Sequence, residues 1–125
     1  MKKVLALFLI AVFMLAILPT AFAYVGSKSV YAYSTTSVRT WGNISCDYSG
    51  YFCSGTSFSG SGDVTKVTVR PKTTGGVNAA NATTFSASAL SGGKDYFSSD
   101  YATVDLWANT DVYNFGGSIT GYWKF

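Results

Sequence analysis

From Ala102 to Asn109 the chain reads ATVDLWAN, and from Ser118 to Phe125 it closes on SITGYWKF. Apolar and polar side chains alternate residue by residue in both stretches. That is the period of a strand with one face in a core and the other toward water, and not that of a helix. Ala102, Val104, Leu106 and Ala108 share one face of the first stretch, with Thr103, Asp105 and Trp107 opposite. Ile119, Gly121, Trp123 and Phe125 share one face of the second, with Ser118, Thr120, Tyr122 and Lys124 on the other. The pattern recurs in KVTVRPK, where Val67 and Val69 oppose Lys66, Thr68 and Arg70, and Pro71 predicts a strand end or a sheet edge. TTFSASAL sets Phe85, Ala87 and Ala89 on one side, and SVYAYSTTSVR sets Tyr31 and Tyr33 against Val30 and Ala32. No stretch shows a convincing helical face.

The first 23 residues, MKKVLALFLIAVFMLAILPTAFA, have the three parts of a secretory signal. Lys2 and Lys3 supply the positive start, Val4 to Leu18 the apolar run, and Ala21-Phe22-Ala23 the small residues before a cleavage site. The apolar run is shorter than the ~20 residues that span a bilayer, so the expectation is cleavage after Ala23, leaving Tyr24–Phe125 as one exported domain. No second apolar run follows, so stable membrane insertion after cleavage is not expected.

With the leader set aside, the remaining 102 residues contain two leucines, Leu90 and Leu106, and two isoleucines, Ile44 and Ile119. A core must then come from valine, alanine and rings, of which this part holds nine Tyr, three Trp and six Phe. These residue types suit a pleated, half-buried surface. Glycines at Gly60-Ser61-Gly62, Gly75-Gly76 and Gly92-Gly93 punctuate the alternating runs into about seven or eight strands. The fold class expected is all-β, an antiparallel sandwich of Ig-like or jelly-roll-like type, with a small barrel as the alternative.

Two hairpins follow from turn chemistry. Gly116-Gly117 would join DVYNF to SITGYWKF, and Ser49-Gly50 would join ISCDY to YFCSG. The second would set Cys46 opposite Cys53 on one face, within reach of a disulfide. Export supplies the oxidising surroundings, and closing this eight-residue loop would stabilise the fold by roughly 2–3 kcal/mol. A metal site is disfavoured because two thiolates need further ligands, and the chain has no histidine and no other cysteine. A redox pair would show closer spacing.

The lack of histidine also removes Ser/His/Asp and Cys/His catalysis from this chain, and glutamate and glutamine are absent as well. Only paired aspartates could serve a hydrolase, and three of the six, Asp63, Asp95 and Asp111, sit in turn-like contexts, so neither an enzyme nor a cofactor is expected. Seven Lys and Arg remain against six Asp after the leader, too few and too scattered for nucleic acid. What remains is the aromatic surplus. Trp107 and Tyr122 fall on the polar faces of their strands, and Tyr31 and Tyr33 carry the same ambiguity, as do Tyr48 and Tyr51. If exposed, Trp107, Tyr122, Tyr31 and Tyr33 would form a binding face for a cell-surface glycan or protein, or for self-association through strand edges. The reading is a secreted, non-enzymatic binding or surface-structural module, with a secreted antimicrobial or toxin-like protein as the alternative.

Overall fold

The computed structural model describes residues 26–90 and 95–125, and the expected leader and its cleavage site lie outside them. Eight strands run in order: β1 (Gly26–Ala32), β2 (Val38–Ser45), β3 (Gly50–Gly60), β4 (Val67–Lys72), β5 (Thr83–Phe85), β6 (Asp95–Tyr96), β7 (Thr103–Thr110) and β8 (Gly117–Lys124). They form two four-stranded antiparallel sheets, ordered β1-β8-β3-β6 and β2-β7-β4-β5, packed face to face as a sandwich.

The pairing is nested: β1 with β8, β2 with β7, β3 with β6 and β4 with β5. Rolling such a ribbon brings β8 against β3 and β7 against β4, which is the topology of a jelly roll. Of the two sandwich types expected, this is the one formed.

Inward alternation builds the core as expected. Val104, Leu106 and Ala108 from β7 meet Ile119, Trp123 and Phe125 from β8 and its end, with Val67, Val69, Val30, Tyr51 and Phe85 around them. Trp123 is its centre. It stacks on Phe125 at 6.1 Å and meets Trp41 and Phe85 edge-on at 6.3 and 6.0 Å, while its indole N–H donates to the Lys28 carbonyl at 3.1 Å. Rings offset or edge-on are the arrangements their quadrupoles favour.

Rolling also overturns both expected hairpins. Most consecutive strands lie in opposite sheets, so a short glycine-containing link here carries the chain across the sandwich instead of back along it. DVYNF is a loop after β7, and its Asn114 holds φ of 60°, while β8 pairs with β1 and β3. Residues 46–49 likewise lead from β2 in one sheet to β3 in the other. The strand expected through Ala87 and Ala89 stops at Phe85, where Ser86 and Ala89 exchange backbone hydrogen bonds in a turn.

Pro71 falls at the end of β4, one of the two places expected for it, but β4 is interior to its sheet, and the proline is tolerated there for a local reason. Pairing with β5 ends at Val69, and the Pro71 carbonyl on that side accepts the N–H of Ala79. The side toward which an amide would point is therefore the side that β5 has left.

Candidate functional site

Strand direction sorts the connections into two ends. One end gathers the β1–β2 turn (33–37), the β3–β4 loop (61–66) and the β7–β8 loop (111–116). The other gathers the crossover 46–49, the β4–β5 loop (73–82) and the β6–β7 loop (97–102).

At the first end the loops are cross-braced. Asp111 accepts the Thr65 hydroxyl at 2.6 Å and the amides of Thr65 and Lys66 at 3.0 and 3.1 Å. The Thr65 hydroxyl and these amides hold its carboxyl below the usual carboxylate value. Asn114 N donates to Ser34 Oγ at 2.9 Å, Thr110 N to the Ser34 carbonyl at 2.8 Å and Ser61 N to the Gly116 carbonyl at 2.9 Å. The Thr110 hydroxyl lies 2.9 and 2.8 Å from the carbonyls of Val112 and Phe115.

These braces frame a cleft of about 250 Å³ lined by Tyr31, Tyr33, Ser59, Ser61, Ser118 and the backbone of Ala32, Gly116 and Gly117. No charged side chain among the described residues lines it. Tyr31 and Tyr33 are 53% and 64% exposed, and beside them the β7–β8 loop presents Tyr113 and Phe115, also exposed. Phe115 rests against Gly62, whose φ of +56° is a conformation glycine adopts without strain. Tyr113 and Phe115 were not among the expected site residues, because DVYNF reads as an alternating strand. The turn formers Asp111 and Asn114 within it, and the glycine pair after it, are the signals that mark it as a loop.

The four aromatics expected to form one face are divided. Tyr31, Tyr33 and Tyr122 belong to the first sheet or its end, and Trp107 to the other sheet. Tyr122 is exposed on the outer face between its register neighbours Ser27 and Ser54, on a surface where Ser29 and Thr120 share a hydrogen bond of 2.6 Å. Trp107 does point outward, between Arg39 and Arg70, but Lys72 Nζ lies 4.4 Å above its ring, so the indole is half-buried and not an open platform. Tyr51 is core, and Tyr48 is half-buried with Lys124 Nζ 4.7 Å from its ring.

The expected Cys46–Cys53 bridge is not formed, and both are free thiols. Without the hairpin the two are no longer cross-strand neighbours. Cys53 pairs with Trp123, while Cys46 N bonds to the Ala102 carbonyl and its thiol faces the Ile44 carbonyl at 3.8 Å. Burial pushes the Cys53 thiol up to about 12; burial and then the Asp47 charge raise Cys46. Cys46 also lines a depression with Asp47, Ser49, Ser99 and Asp100 at the second end. Compared with protein-family profiles, curated proteins and solved structures, the chain matches none.

Proposed function

We propose that the protein is an exported, non-catalytic binding module whose braced end takes a neutral carbohydrate between Tyr31 and Tyr33. The observation that carries this reading is the cleft itself, which combines two exposed rings, three serine hydroxyls and bare glycine backbone, with no charged side chain among the described residues that line it. Sugar rings present apolar faces that stack on aromatics and hydroxyls that need donors and acceptors, and the cleft supplies both. The cross-bracing of its loops favours a preformed site, which lowers the ordering cost of binding. Self-assembly through strand edges is left mainly to β1, since β2 is bulged between Arg39 and Ile44 and β5 spans only three residues. Export is inferred from the leader at residues 1–23.

Affinity electrophoresis in gels containing laminarin, xyloglucan or galactomannan tests the reading. Retardation by at least one polymer is expected, weakened about tenfold by Tyr31→Ala or Tyr33→Ala and unaffected by Trp107→Ala. Equal mobility in all three gels removes it.

A further inference from the structure

The outer face of the other sheet has a different chemistry. Arg39, Trp107 and Arg70 stand in register across β2, β7 and β4, with Lys72 above the indole. The only carboxylate in the four strands of this sheet is Asp105, which is 1% exposed and already accepts Asn43 N and pairs with Arg39. Arg70 and Lys72 have no ion pair among the described residues. The Nε of Arg70 and the Nε1 of Trp107, side chains that face each other across β4 and β7, are both buried and make no hydrogen bond among the described residues. A depression of about 210 Å³ beside them is lined by Ser37, Thr68, Arg70, Lys72, Ala82 and Asn109.

We propose that this depression binds a carboxylated sugar of an acidic polysaccharide, with the carboxylate against Arg70 and Lys72 and the ring hydroxyls against Asn109, Thr68 and Ser37. A guanidinium fork matches a carboxylate in shape as well as charge, and a side-chain amide and hydroxyls both give and accept hydrogen bonds. Duplex nucleic acid is a poorer fit, since its binding proteins commonly neutralise ~6–10 phosphates and this face offers two unpaired cations. A membrane surface fits less well too, because none of the exposed large apolar residues belongs to this sheet's strands. The site does not rest on the Tyr31–Tyr33 cleft. Being on opposite sheets, the two would let one molecule hold a neutral and an acidic chain together.

Microscale thermophoresis with polygalacturonate at low ionic strength is the test, with dextran sulfate and duplex DNA in parallel. Polygalacturonate should bind, bind less as salt is added, and lose about tenfold in affinity in Arg70→Gln and in Lys72→Gln. Lys124→Gln, which removes the same charge from the opposite sheet, should bind like the wild type. Arg70→Lys should fall between Arg70→Gln and the wild type, because it keeps the charge and loses the fork. Circular dichroism of each variant establishes that it is folded. Absence of polygalacturonate binding overturns the proposal, as does an equal loss in Lys124→Gln, or tighter binding of the sulfate or of DNA. None of these outcomes bears on the neutral-glycan gels.

Discussion

Asp105 accepts the backbone N–H of Asn43 at 2.9 Å, although its side chain stands on the outer face of its sheet. The contact exists because β2 bulges between Trp41 and Ile44, with Asn43 at φ of 54°, so that the bulge folds over the carboxylate and leaves it 1% exposed. Asp105 thus uses its charge to hold an edge strand in shape, with Arg39 as a solvent-exposed partner at 3.6 Å.

Removing that carboxylate should be costly. Asp105→Ala leaves the Asn43 amide without its acceptor and is expected to lower stability by about 2–3 kcal/mol. Asp105→Asn keeps an acceptor oxygen and should cost less. Urea denaturation followed by tryptophan fluorescence measures both, and equal midpoints for Asp105→Ala and wild type would show the bulge to be held by something else.

Alkaline pH should unfold the protein earlier than its near-neutral charge balance suggests. Burial raises the Tyr51 hydroxyl, which donates to the Asn81 carbonyl at 2.6 Å, from 10.0 to about 12, and burial raises Cys53 from 9.0 to about 12. Both groups are held protonated by folding. The stability they contribute is complete below their ordinary values and is lost as pH rises through about 12. Urea midpoints taken at rising pH should fall across this window, and Tyr51→Phe should flatten part of the slope while lowering stability at neutral pH by about 1 kcal/mol.

The thiols should be inert while the fold is intact. Burial raises both, and the Asp47 charge raises Cys46 further, so the thiolate is disfavoured at each. Iodoacetamide followed by mass spectrometry should label Cys46 slowly and Cys53 only in denaturant, with two carbamidomethyl groups added once unfolded and no reductant present. A denatured, unreduced chain that takes up none would mean a bridge had formed.

Gly121 is the tightest place to add a methyl group in the middle of β8. A Cβ there would lie 2.5 Å from the Ser54 carbonyl oxygen and 3.0 Å from Cys53 Sγ. Gly121→Ala should therefore destabilise by about 2–3 kcal/mol through forced separation of β8 from β3. Thermal denaturation decides it, and a midpoint within a degree or so of wild type would mean that β3 yields freely.

The sequence by itself determined the inward rows of the long strands, although it read DVYNF and the stretch after Phe85 as strand where the structure has a loop and a turn. Period-two alternation is a property of a single strand and needs no partner, so the inward row Ile119, Gly121, Trp123 and Phe125, and a core of rings and valines, were readable directly. It did not determine which strand lies beside which. The two glycine-containing links look like hairpin turns, but a jelly roll pairs strands from opposite ends of the chain, as Ser29 and Thr120 show across 91 residues. That non-local pairing separated Cys46 from Cys53, moved Trp107 to the sheet opposite Tyr31 and Tyr122, and turned DVYNF into the loop that carries Tyr113 and Phe115. Burying two sheet faces against each other gains ~25 cal/mol for each Å² of apolar surface, a gain that a single two-residue turn does not match, so burial and not turn chemistry chose the partners.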